Sequence, residues 1–280
     1  MPEMFIDQMG RKVTLNGTPK RIVSIVPSQT ELLFDLGLCN DVVGITWFCI
    51  HPAHHFNATT KVGGTKKLDF ERIAALKPDL IIGNKEENEK SQIEELEKHY
   101  PVWMSDIKNL DDALLMIKML GEITEKGEEA HELCGRIIDG FAQLYNQTNT
   151  VKTRAAYLIW RNPYMGVSSD TFIDEMMKQC GLVNVLKNFS PKTKANDIES
   201  LRYPILSIDE LKELNPEVVL LSTEPFPFKE KHIAEIGEAL PNAQIHLADG
   251  EMFSWYGSRL QHSPTYFSTL MKNIGIPALA

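Results

Sequence analysis

The chain has 280 residues, of which 43% are hydrophobic and 24% charged, with a formal net charge of -9. This length exceeds one ordinary core, so two domains are expected, and the composition is that of a soluble globular protein. An acidic balance with no Lys/Arg stripe speaks against a nucleic-acid partner, since phosphate neutralisation needs clustered positive charge. Apolar runs such as residues 218–221 fall far short of the roughly 20 residues that span a bilayer.

The N-terminus (Met1, Pro2, Glu3, Met4, Phe5) has neither a basic start nor an apolar core. No export signal is read there. Two compartments stay open: the periplasm or envelope after removal of a signal, or the cytoplasm. Cys39, Cys49, Cys134 and Cys180 show no Cys-x-x-Cys spacing and are expected as buried thiols.

In chain order, residues 5–15 read as a hairpin turning at Gly10, and residues 21–26 as an apolar core strand. Pro27, Ser28 and Gln29 then lead into a helix ending near Gly37, with Ser28 and Glu31 in the spacing of a capping box. That helix start also offers backbone N–H groups to an anion. Residues 68–82 read as an acidic helix with Phe70, Ile73 and Leu76 on one stripe, a stop at Pro78, and a strand buried on both faces.

From Asn109 the pattern becomes sustained helix: Leu110, Leu114, Ile117 and Leu120, a break near residues 121–127, then Ala130, Leu133, Cys134, Ile137, Phe141 and Leu144. A helix of about 23 residues spans roughly 35 Å, long enough to join two lobes as a rod and restrain their hinge. The first half of the chain then recurs. Residues 154–160 repeat the core strand, and a loop and a helix ending at Gly181 follow it. Residues 206–220 repeat the acidic helix, the proline stop (Pro216) and the buried strand. An irregular polar insertion occupies residues 189–202. The expected architecture is therefore α/β, with two similar Rossmann-like lobes of mostly parallel sheet (1–124 and 149–280) joined by one long helix (125–148), and a ligand cleft between the lobes.

Residues 19–33 (Pro-Lys-Arg-Ile-Val-Ser-Ile-Val-Pro-Ser-Gln-Thr-Glu-Leu-Leu), the Val62-Gly63-Gly64 step, residues 71–81 and the mid-chain helix occur in a characteristic order and spacing. Together they resemble the helical-backbone, or class III, substrate-binding proteins of ABC importers for vitamin B12, ferric siderophores and haem. The resemblance covers nearly the whole chain. It implies a monomeric, non-enzymatic receptor that captures a metal chelate and delivers it to an ABC permease dimer. It further implies one acidic docking residue per lobe: Glu71, seven residues before Pro78, and Asp209, seven before Pro216, with Glu210 adjacent as the alternative. The other reading of such carboxylates is an ordinary solvated helix face.

Ligand sites in open α/β sheets lie beyond the carboxyl ends of the strands. In the first lobe this rule selects Ser28 and Gln29, then Trp47, Phe48 and His51, then Lys66, and Asn84, Lys85 and Glu86. In the second it selects Trp160, Arg161 and Tyr164, and then Trp255, Tyr256 and Arg259. Trp47, Phe48 and Trp160 have core burial as their alternative, whereas the Gly- and Ser-rich loop around Trp255 favours ligand contact over burial. Where family members that bind vitamin B12 carry tryptophans, this chain has Lys66 and Lys85. These suit an anionic ligand such as a carboxylate-bearing siderophore, and cobalamin stays open. His51, His54 and His55 could share a helix face, but Pro52 and the lack of an acidic ligand at a recognisable spacing favour His51 alone, as a contact or axial ligand to a chelated metal. No bound cofactor and no resident metal site are expected.

Three functional classes compete: the importer receptor, a soluble cytoplasmic sensor or carrier of the same fold without a permease, and a metal-assisted hydrolase using His51, His54 or Glu86. The chain has no nucleophile elbow, phosphate loop or paired zinc cysteines, which sets the third aside.

Overall fold

The computed structural model describes residues 2–149, 152–190 and 201–275. Its chain divides into two compact units, Met1–Arg136 with Trp255–Arg259, and Ile137–Ser254 with Leu260–Ala280. Residues 191–200, the centre of the expected polar insertion, lie outside the described residues.

The first unit opens with the antiparallel hairpin β1 (Glu3–Ile6) and β2 (Lys12–Leu15). There follow β3 (Ile22–Ser24), α1 (Pro27–Asp35), β4 (Val42–Ile45), α2 (Ala53–Ala58) and β5 (Thr60–Lys61). A small ribbon, β6 (Gly63–Gly64) with β7 (Lys67–Leu68), precedes α3 (Phe70–Leu76), β8 (Leu80–Asn84), α4 (Lys90–Leu96), β9 (Val102–Ser105) and α5 (Leu110–Ile123). The sheet order is β5-β4-β3-β8-β9, parallel throughout. Every residue of β8 is buried, as expected of a strand covered on both faces, and Val23, Ile25, Ile73, Ile81 and Ile93 share one core. Asp7 ties the hairpin to this sheet: its carboxylate accepts from the amides of Met9, Arg11 and Met104 and from the Arg11 guanidinium.

Helix α6 (Gly127–Thr148) follows, 22 residues long. No helix among the described residues is long and apolar enough to cross a membrane. The second unit then contains β10 (Thr153–Trp160), β11 (Tyr164–Gly166), α7 (Phe172–Gln179), β12 (Leu182–Asn184), β13 (Ile205–Leu206) and α8 (Ile208–Leu214). It continues with β14 (Val218–Ser222), α9 (Glu230–Ala239), β15 (Gln244–Ala248), α10 (Gly250–Ser254) and α11 (Ser263–Asn273). Its sheet is mixed: β10 pairs parallel with β14 and β12, and β14 with β15, whereas β11 runs antiparallel to both β10 and β13. Leu158, Leu211, Val219, Leu221 and Ile236 centre its core.

The internal repeat extends to individual hydrogen bonds. In the first unit, Asp79 accepts from the amide of Arg21 and returns its own N–H to the Arg21 carbonyl, while the Arg21 guanidinium donates to the Leu76 carbonyl at the end of α3. In the second, Glu217, Arg154 and Leu214 make the same three contacts at the end of α8. Both helices close on a left-handed residue, Lys77 at φ 46° and Asn215 at φ 47°. A lysine held there is strained in a way that glycine is not. Lys77→Gly is therefore expected to raise stability by about 0.5 kcal/mol, seen as a higher urea midpoint with unchanged slope; a lower midpoint would count against the cap as the source of strain.

Candidate functional site: the strand-end loops of the two units

In the first unit the loop after β4 is built around Cys49, which is fully buried and lies 3.1 Å from both Thr30 Oγ1 and Thr46 Oγ1. The Trp47 amide donates to the Gly63 carbonyl. With the small thiol as the plug, the flanking large side chains turn outward: Trp47 is 54%, Phe48 59% and Ile50 44% exposed. The ring of Phe48 lies over Gly64, where a Cβ would come within 3.1 Å of it. The core alternative for Trp47 and Phe48 is thereby overturned. Such a group of exposed apolar side chains at one strand end is a marker of binding.

His51 meets the ring of Trp255 edge-on, with centroids 5.4 Å apart. His55 is occupied elsewhere, stacked on Phe34 and 3.0 Å from Cys39 Sγ, and His54 packs against it. Among the described residues no group of three or more His, Cys, Asp or Glu side chains is placed to hold a metal.

After β8, Asn84 Oδ1 accepts from the amides of Glu86 and Glu87, and Asn84 Nδ2 donates to Ser105 Oγ. Both lysines that pointed to an anionic ligand have partners: Lys66 donates to the Glu86 carbonyl and Lys85 pairs with Asp106. Gln29 is fully buried and donates to Ser105, so it serves the sheet rather than the loop surface. Ser28 is also buried, and the capping box expected of Ser28 and Glu31 does not form. Helix α1 starts at Pro27 without a side-chain cap, and the Glu31 carboxylate is held by Arg259 instead. Burial pushes the Glu31 carboxyl above its ordinary range, with the Arg259 hydrogen bonds opposing that rise.

Trp255, Tyr256 and Arg259 belong to the same unit. Trp255 and Tyr256 are each only 6% exposed. The Arg259 guanidinium sits 4.8 Å from the Trp255 ring centroid, and the Tyr256 hydroxyl donates to Glu87. The loop composition around Trp255 favours ligand contact over burial, but the side chain is buried, since small residues also permit close packing.

In the second unit Trp160 is 41% exposed at the end of β10, braced edge-on by Phe226 at 5.8 Å. Arg161 forks onto Glu235 of α9, and the Tyr164 hydroxyl donates to the same carboxylate at 2.7 Å. The Tyr164 hydrogen bond and the Arg161 charge hold the Glu235 carboxyl below its usual range. Glu31, Glu87 and Glu235 went unread in the sequence as partners, and only Glu31 sat in a motif, which pointed to a different bond.

Glu71 lies exposed in the first turn of α3. Asp209 is the matching position on α8, 80% exposed with Lys212 at 3.3 Å. Glu210 differs: it is 9% exposed and its carboxylate accepts from the amide and hydroxyl of Ser207 in a closed capping box. Its charge is committed to the helix start.

Each unit repeats one α/β design and carries exposed aromatic side chains at a strand end, with Lys85, Arg161 and Arg259 paired to carboxylates and Lys66 to a carbonyl. Residues 22–242 match the periplasmic binding protein family, and the chain belongs to that family. It is 26% identical over 209 residues to the vitamin B12-binding protein of Vibrio campbellii, covering 74% of this chain and 72% of that one. Among solved structures, the periplasmic vitamin B12 binding protein BtuF of Vibrio cholerae matches with a TM-score of 0.75 at 21% identity, covering 92% of this chain and 98% of that one. The molybdate periplasmic binding protein MolA of Haemophilus influenzae matches with a TM-score of 0.78 at 17% identity, over 98% of this chain and 91% of that one.

Proposed function

We propose that this chain is the substrate-binding component of an ABC importer at the cell envelope, a monomer that captures a metal chelate and releases it unchanged to a membrane permease dimer. The observation that carries the reading is the aromatic display, Trp47 and Phe48 in one unit and Trp160 in the other, at the strand ends of a periplasmic binding protein fold. A bare oxyanion calls for free donors and positive charge. Here Lys85, Arg161 and Arg259 are each paired with a carboxylate and Lys66 with a carbonyl. Large organic faces of the cobalamin, haem or ferric-siderophore kind fit better, because burial of roughly 300 Å² of apolar surface yields about 7 kcal/mol before association costs. His51 and Glu86 are proposed as further contacts, and helix α6 as the rod that joins the two lobes.

Titrating cobalamin, haemin and a panel of ferric siderophores while following tryptophan emission tests the reading. One of them is expected to quench at micromolar concentrations or below, and no response from any would refute it.

We further propose Glu71 and Asp209, and not Glu210, as the permease contacts. The double variant Glu71→Ala with Asp209→Ala is expected to abolish stimulation of the permease's ATPase while chelate affinity stays at its original value. Two exposed pairs on separate lobes set orientation and encounter more than tightness. If chelate affinity falls with the stimulation, these carboxylates belong to the cargo site and the docking assignment is wrong.

A further inference from the structure

The segment Trp255–Arg259 interrupts the second unit in sequence yet belongs to the first. It is short, and its last two residues open a 3-10 turn, Ser258–Gln261. Trp255, Tyr256, Gly257 and Ser258 are all buried. Gly257 approaches α1 so closely that a Cβ would stand 2.2 Å from the Ser28 carbonyl oxygen, so a side chain there has no room. Arg259 closes the anchor with two hydrogen bonds to Glu31. From this base, two side chains reach the loops at the strand ends. The Tyr256 hydroxyl donates to Glu87 Oε1 at 2.7 Å, and the Trp255 ring packs against His51.

We propose that Trp255–Arg259 is a strap that positions the first unit's binding loops, with Tyr256 fixing residues 84–88 through Glu87 and Trp255 fixing residues 46–51 through His51. These are positioning residues: they touch the loops and not the cargo. The consequence for binding rests on the cargo reading above, whereas the fixing of the loops does not. A pre-set loop loses less freedom when cargo arrives, which raises affinity without adding a contact.

Both loops carry amides that report on this directly. The Glu86 and Glu87 amides donate to Asn84 Oδ1 and that of Asn88 to the Asn84 carbonyl, while the Cys49 amide donates to the Thr46 carbonyl. Hydrogen exchange on the cargo-free protein is therefore the test. Tyr256→Phe removes one hydroxyl and keeps the ring. It is expected to speed exchange at Glu86, Glu87 and Asn88 about tenfold, as loss of a hydrogen bond to a charged group implies, and to leave residues 46–51 and the strands β3 and β8 unchanged. Trp255→Leu is expected to do the converse, loosening Cys49 and its neighbours first.

Unchanged exchange at residues 84–88 in Tyr256→Phe would overturn the proposal, as would an equal rise in β3 and β8, which would mean general loosening. Trp255→Leu is the more disruptive change, and should it fail to fold, Tyr256→Phe decides alone. Loops that loosen as stated in a protein that binds no chelate would sink the cargo reading and leave the strap standing. A chelate that binds to a Tyr256→Phe protein with unaltered loops would do the reverse.

Discussion

Arg259→Met is expected to destabilise the folded chain by about 3 kcal/mol at pH 7, the cost of leaving one member of a buried ion pair alone. The Glu31 and Arg259 side chains keep only 14% and 13% of their surface open, so water replaces little of the lost interaction. Methionine keeps a long apolar side chain at this position but removes both the Glu31 pair and the guanidinium over the Trp255 ring, and pH separates the two. The pH dependence gives a second signature. Glu31 already holds its proton more tightly in the folded than in the unfolded chain, because burial outweighs the arginine. Its contribution is therefore fully favourable below the ordinary glutamate range and is lost as pH rises through the folded-state value. Removing Arg259 takes away the opposing influence and raises that value further. The deficit of the variant is then expected to be largest at neutral pH and to shrink in acid, where Glu31 is neutral in both proteins. Urea unfolding at a series of pH values reads this; a deficit that stays constant with pH would mean that the arginine acts by packing alone.

Trp47→Ala and Phe48→Ala are each expected to weaken chelate binding about thirtyfold, the scale of truncating an aromatic hot spot, with the unfolding midpoint held within the range of surface substitutions. The separation follows from their exposure, 54% and 59%: neither ring supports the core, whose role at that loop falls to Cys49. Calorimetric titration beside thermal melts distinguishes the cases. If either variant loses stability in step with affinity, the side chain is structural and the aromatic display is misassigned.

The duplicated scaffold is legible in the sequence because each of its steps is local. A stripe at Phe70, Ile73 and Leu76, a stop at Pro78 and four apolar residues define helix, turn and buried strand without reference to the rest of the chain. The same holds at residues 208–221. The site is less legible, since burial there is decided by distant partners. Arg259 finds Glu31 across 228 positions, Tyr256 finds Glu87 across 169, and Arg161 finds Glu235 across 74, separations that carry no periodic signal. Trp47 and Trp255 show this. Trp47 follows an apolar strand, which leaves core burial open beside ligand contact, and it is the smaller Cys49 that is buried there. Trp255 lies among glycine and serine, a composition that favours ligand contact over burial, yet it is 6% exposed, and Gly257 beside it lets the backbone pack against α1. Asp209 and Glu210 are alike as neighbouring helix carboxylates in the sequence, and only the fold shows that Glu210 closes a capping box on Ser207 while Asp209 stays exposed.

On the proposed function the chain holds a metal chelate without transforming it, and native mass spectrometry after incubation with a mixture of cobalamin, haemin and ferric siderophores reads both halves of that statement. A one-to-one complex with one of these chelates is expected, from which denaturation recovers the chelate at its original mass. A spectrum of uncomplexed protein alone, or a chelate recovered chemically altered, would contradict it.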